Sequence, residues 1–174
     1  MTKYAARPTG REIFFGEDEI IVSKTDLKGR ITYANDVFCR VAGYAEHELR
    51  AAPHSIVRHP DMPRCVFWLL WETISKGSEI FAYVKNMAKN GDFYWVFAHV
   101  TPSYDESGQI AGYHSSRRRP DPAAVDKAAA LYAQLLAVEN SHADRRQGLQ
   151  AGIDAMLARL SAADLTYEAF VFSL

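Results

Sequence analysis

The chain is poor in the features that define most enzyme and secreted-protein classes. Its 174 residues include two cysteines, Cys39 and Cys65, with no CxxC pair between them. Isolated thiols of this kind suit a reducing cytoplasm rather than a disulfide scaffold. No apolar run approaches the ~20 residues that cross a bilayer. The stretch Met1 to Pro8 lacks the apolar core of a secretory leader. The expectation is a cytoplasmic protein without membrane contact. An excess of charge of one sign is also missing. Twenty Lys and Arg against 21 Asp and Glu leave a net charge of −1, so no global field favours nucleic acid. The short run Arg117-Arg118-Arg119 reads as a solvated strand end. Walker loops, GxGxxG fingerprints, nucleophile elbows, CxxCH attachment sites and metal-ligand spacings are absent from the sequence. No residue set for catalysis stands out, and the chain is not expected to be an enzyme.

What is present is 48% hydrophobic content, enough for one domain with a core plus an extension. Residues 1–17, with Pro8, Gly10 and Gly16, read as a flexible lead. Ile20-Ile21-Val22-Ser23 and Arg30-Ile31-Thr32-Tyr33 read as strands around an Asp26-Leu27-Lys28-Gly29 turn. Asn35 is placed to cap a helix carrying Val37, Phe38, Val41 and Ala42, and Gly43 ends it. Short helical turns follow at residues 46–49 and 55–58. Asp61 is expected to cap a longer helix with Val66, Phe67, Leu69, Leu70, Trp71 and Ile74 on it. Residues 80–87 and 93–101 flank a Lys-Asn-Gly-Asp turn, and residues 109–117 form a last strand. The order predicts an α+β domain over residues 18–119: a five-stranded antiparallel sheet with short helices on one face. Pro120-Asp121-Pro122 then opens a helical extension, residues 120–174, with two amphipathic patterns and an apolar tail.

The hairpin gives a further expectation. Closed symmetrically on Asn90-Gly91, it sets Asn86 opposite Trp95, Val84 opposite Phe97 and Ala82 opposite His99, on one face. Phe81, Tyr83, Tyr94, Val96 and Val100 take the other. Both faces are rich in apolar groups, so something must cover the outer one: the extension, the lead or a second subunit.

Polar residues inside apolar surroundings are the candidate site. An amide such as Asn86 within an apolar strand needs partners, either nearby backbone or a ligand edge. Arg58 presents paired donors suited to a phosphate, and His59 titrates near neutral pH. Arg58, His59 and Asp61 also read as local ion-pair and capping groups. Trp71 and Trp95 either wall a flat ligand or belong to the core.

Four segments in order carry a resemblance. They are Ile31-Thr32-Tyr33-Ala34-Asn35-Asp36, the stretch Ser55 to Pro63 with its Arg58-His59-Pro60-Asp61-Met62-Pro63 string, Val84-Lys85-Asn86, and Lys89 to Val96. Together they resemble the sensory PAS domain of bacterial aerotaxis receptors, over Asp18 to Arg119. The resemblance implies the PAS fold and an FAD cofactor. It implies cofactor contacts at Arg58, His59 and Asn86, a minor one at Asn35, and a pocket-shaping role for Asp61. Ile80 stands where related sensors usually have Trp. Haem b is the rival ligand, with His99 and His114 as axial candidates, and a cofactor-free interaction module is a third reading. Light-driven thiol chemistry does not fit, because Cys39 and Cys65 sit in the wrong contexts. The expected role is a sensor of redox state or oxygen that signals in trans to a downstream protein. The extension serves as partner or homodimer surface, or packs on its own sheet.

Overall fold

The protein is described here by a computed structural model covering residues 6–174. Five strands, β1 (Ile21–Thr25), β2 (Ile31–Ala34), β3 (Ile80–Met87), β4 (Phe93–Tyr104) and β5 (Ile110–Arg118), form one antiparallel sheet in the order β2-β1-β5-β4-β3. Between β2 and β3 lie α1 (Asp36–Ala42), α2 (Glu46–Leu49), a 3₁₀ turn at His54–Val57 and α3 (Arg64–Ile74). The extension folds as α4 (Pro122–Asn140), α5 (Arg145–Ala162) and α6 (Tyr167–Ser173), so the apolar tail is a third helix rather than loose chain.

Local chemistry explains most boundaries. Asn35 caps α1 by accepting from the Phe38 N–H, and Gly43 ends that helix in the left-handed region. Asp121 caps α4 with Pro122 at its first position. Pro63, not Asp61, occupies the N-cap of α3 and offers no capping side chain. Asp61 instead points outward and accepts from Lys85 Nζ at 2.6 Å.

The β3–β4 register differs from the symmetric closure by one residue. Asn86 pairs with Tyr94, Val84 with Val96 and Ala82 with Ala98. The cause is loop length. Ala88 N–H bonds the Asp92 carbonyl at 2.7 Å and Gly91 N–H bonds the Ala88 carbonyl at 2.9 Å, leaving a three-residue loop. Gly91 takes φ 92°, the left-handed conformation that such a loop needs at its third position. A one-residue slip sends every side chain of β4 to the opposite face.

The inner face therefore carries Val84, Asn86, Tyr94, Val96 and Ala98 beneath α1–α3. The outer face carries Phe81, Tyr83, Trp95, Phe97 and His99. The extension covers that outer face. Tyr132 of α4 stacks on Trp95 at 6.2 Å, with the rings inclined by 27°, and donates from its hydroxyl to the Tyr83 carbonyl at 2.8 Å. Phe172 of α6 meets Phe81 at 4.9 Å and Phe97 at 5.9 Å. The lead, expected to be flexible, is held from Thr9 onward. Thr9 N–H bonds the Gly91 carbonyl, Ile13 N–H bonds the Phe93 carbonyl, and Phe15 is buried. The first five residues of that lead lie outside the described ones.

Candidate functional site

A cavity of about 250 Å³ lies between the inner sheet face and α3. Ser23, Val84, Asn86, Ala98 and Arg117 line it from the sheet, Phe67 and Trp71 from α3, and His54 and Arg58 from the connecting turn. Each reaches it for a local reason. Strand alternation turns Asn86 and Arg117 inward with Val84 and Ala98. Helical spacing puts Phe67, Leu70, Trp71 and Ile74 on one side of α3. Trp71 closes against Gly29, where a Cβ would come within 3.0 Å of its ring, and stands edge-on to Tyr113 at 5.5 Å.

Of the sequence-derived candidates, the cavity brings together Asn86, Arg58 and Trp71. Asn86 is 4% exposed and lines the cavity from β3. The Arg58 backbone bridges to Asn86, and its guanidinium lies 3.8 Å over the Phe67 ring. The other candidates lie elsewhere. Trp95 is on the outer face because of the hairpin slip. Asn35 is consumed as a clip: its Oδ1 accepts from Val22 and Phe38 N–H, and Nδ2 donates to the Ile20 carbonyl at 2.8 Å. His59 is buried outside the cavity lining, edge-on to Phe93, with Nδ1 accepting from Asp61 N–H at 3.1 Å. Burial, then the charge of Lys85, holds its pKa below the usual imidazole value. Asp61 remains outside in its ion pair with Lys85. Ile80 fills a small cluster with Ile74, Val100 and Tyr113.

The groups that sequence reasoning missed are Arg117, Ser23 and His54. Arg117 is not a solvated strand end. It is 2% exposed, lies 4.3 Å from the Phe38 ring centre, and donates from Nη2 to Ser23 Oγ at 2.6 Å. Its Nε and Nη1 are buried without partners among the described residues. Burial lowers its pKa to about 10, so it remains a cation at neutral pH. Ser23 Oγ, accepting from Arg117, also meets His54 Nε2 at 3.0 Å. Burial, then the charge of Arg117, pushes His54 down to about 3. The cavity thus holds a neutral imidazole, an amide and a buried cation. Such a wall suits a flat ligand with an acceptor-rich edge. The haem candidate His99 lies on the outer face, stacked on Phe81 and 2.5 Å from Glu79. His114 lines the cavity, and neither cysteine does.

An antiparallel sheet with a hollow beneath short helices on one face defines the class as an α+β domain. Residues 31–117, half of the chain, match the family described as PAS fold, and the chain belongs to that family. It is 44% identical over 125 residues to the aerotaxis receptor of Escherichia coli strain K12, covering 72% of this chain and 24% of that protein. It is 28% identical over 99 residues to the nitrogen fixation regulatory protein of Klebsiella pneumoniae, covering 57% of this chain and 20% of that one. The chain thus spans about a quarter or less of these relatives. Among solved structures it resembles a light-oxygen-voltage domain studied with a flavin analogue, at TM-score 0.54 and 19% identity over 71% of this chain and 87% of that one. The light state of the Aureochrome1 LOV photoreceptor gives 0.53 and 21%, over 72% of this chain and 93% of that one. At these identities the structures establish the fold alone. The sequence relatives make this a PAS sensor domain homologous to aerotaxis and nitrogen-fixation regulators.

Proposed function

We propose that the chain is a cytoplasmic FAD-binding PAS sensor of redox state or oxygen, which signals in trans to a downstream protein through its helical extension. One observation carries the reading. A buried amide, Asn86, and a buried guanidinium, Arg117, line the same cavity, and Nε and Nη1 of Arg117 are without hydrogen-bond partners among the described residues. Leaving such groups unpaired costs about 1–3 kcal/mol each, so a ligand with matching acceptors is favoured. An isoalloxazine edge alternates N–H and C=O groups and matches an amide that both donates and accepts. Likeness to the aerotaxis receptor supports the same cofactor.

The cavity is smaller than the ~300 Å³ lower bound of typical ligand pockets, which suits a ring system with its phosphates outside. Arg58 at the rim is suited to that phosphate side. Trp71 and Phe67 wall the ring. Bound FAD supplies reversible electron uptake. Arg117 holds a positive charge at the cavity wall and favours a ring that gains negative charge. Neutral His54 and Ser23 fix the direction of that guanidinium. Haem fits less well, because His54 Nε2 is engaged by Ser23, His99 lies beyond the sheet, and alternation along β5 turns the His114 side chain to the face opposite Ser115 and Arg117.

The test is flavin content per folded chain, read from the visible spectrum. Asn86→Ala loses a hydrogen-bonding group worth ~1–3 kcal/mol, a fall in affinity of about 5- to 150-fold. Arg58→Ala reduces content less, since the rim is wetter. Wild-type flavin content in both variants, or an intense Soret band in the parent, rejects the reading.

A further inference from the structure

The first N–H groups of a helix need acceptors, and α3 has no capping side chain of its own. The acceptor arrives from the extension. Glu139, one residue before the end of α4, is 1% exposed. Its Oε2 accepts from the Arg64 backbone N–H at 3.0 Å and from Arg64 Nε at 2.8 Å. Its Oε1 accepts from the Cys65 N–H at 2.8 Å. Arg64 Nη1 continues the chain to the Arg145 carbonyl at 2.7 Å, at the start of α5. α5 is notched to admit this contact. A Cβ at Gly148 would stand 2.3 Å from the Glu139 carbonyl oxygen, and one at Gly152 2.7 Å from its Cγ. The helix held in this way is the one that presents Phe67, Leu70, Trp71 and Ile74 to the cavity.

We propose that Glu139 is a buried latch tying the C-terminal extension to the cavity helix, so that cavity occupancy and packing of the extension are linked through the N-terminus of α3. A carboxylate favours a helix N-terminus through its free N–H groups and dipole. Once buried, it cannot be left behind without an uncompensated charge. A shift of α3 against an occupant must therefore carry Glu139 with it or open the contact. Either outcome reaches α4 and α5 directly. Linkage is reciprocal, so loosening the latch must also change the affinity of the cavity for its ligand.

The full chain carries the test. Glu139→Gln keeps the shape, removes the charge and sets an N–H donor against a backbone N–H. We expect faster amide hydrogen exchange in α3, α4 and α5, and FAD affinity lowered at least about fivefold, the low end of allosteric couplings. Tyr132→Phe is the comparison. It deletes the bond that ties α4 to β3, and should loosen α4 while α3 exchange and FAD affinity stay at wild-type values. Wild-type exchange in Glu139→Gln overturns the latch. So do equal effects of the two variants on α3, since Glu139 would then be one packing residue among many. If Glu139→Gln does not fold, Arg64→Gln removes the two side-chain bonds, to Glu139 and to the Arg145 carbonyl, keeps the two backbone caps and carries the same comparison. The affinity measurement rests on the FAD reading. A parent chain that takes up no FAD refutes that reading alone, and the exchange comparison then decides the latch by itself.

Discussion

His54 sits where a proton is least welcome. Burial removes the hydration of the imidazolium, and Arg117 and then Arg58 repel it, so the folded chain holds the ring neutral down to about pH 3 against an ordinary value of 6.5. The unfolded chain binds that proton below about 6.5. Its contribution is therefore intact above pH 6.5 and is lost as pH falls toward 3. The slope for a single such group is up to about 1.4 kcal/mol per pH unit. His59 and His114 are shifted in the same direction and add to the loss. Denaturant unfolding at pH 7 and pH 5 should show wild type losing about 1–2 kcal/mol more than His54→Gln over that interval. Equal losses would mean that His54 takes up its proton in the folded state. At this scale the sequence was unevenly legible. Asn86 was visible because an amide stands out in an apolar strand. Arg117 was hidden, because three consecutive arginines carry no alternation to say which one faces in. Asp61 looked like a cap because an acidic residue ahead of an apolar helix is the usual local signal. Pro63 displaces the helix start past it, and the true capping group is 75 residues away. No local pattern can report such a partner.

Elements followed the local signals closely where a cap or turn residue set the boundary. Asn35, Gly43 and Asp121 each act as their chemistry indicates. The β3–β4 register did not, because Asn-Gly fits both a two-residue and a three-residue loop, and the difference moves Trp95 from the cavity to the far face. The packing of α5 gives a sharp test at this scale. Alanine in a helix interior is normally better than glycine by about 1 kcal/mol, so Gly148→Ala should stabilise α5 if its surroundings were open. The Glu139 carbonyl and Arg64 Nη2, 2.3 and 2.9 Å from the added methyl, leave no such room. Overpacking of this kind costs about 1–3 kcal/mol, and Gly148→Ala should lower Tm by several degrees. A raised Tm would show that α5 does not approach α4 and α3 as closely as described.

At the scale of the whole molecule, a sheet apolar on both faces needs two covers, and α1–α3 supply only one. That requirement was legible from composition alone; the identity of the second cover was not, since a sequence does not say whether an amphipathic helix packs on its own chain or on another. Here α4 and α6 do so, with Tyr132 and Phe172 against Tyr83, Trp95, Phe81 and Phe97. A chain ending at Arg119 keeps the cavity, the family match and every strand, but uncovers this aromatic surface. Contiguous exposed apolar patches larger than a few hundred Å² mark association sites, and the fragment should self-associate more strongly than the intact chain in light scattering and sedimentation. It should also bind a hydrophobic dye that the intact chain does not. Phe97→Lys within the fragment places a charge at the centre of the bared face and should return it toward monomer. A fragment as monodisperse as the parent would show that residues 120–174 are not the cover this sheet requires, and the proposed route from cavity to extension would lose its receiving end.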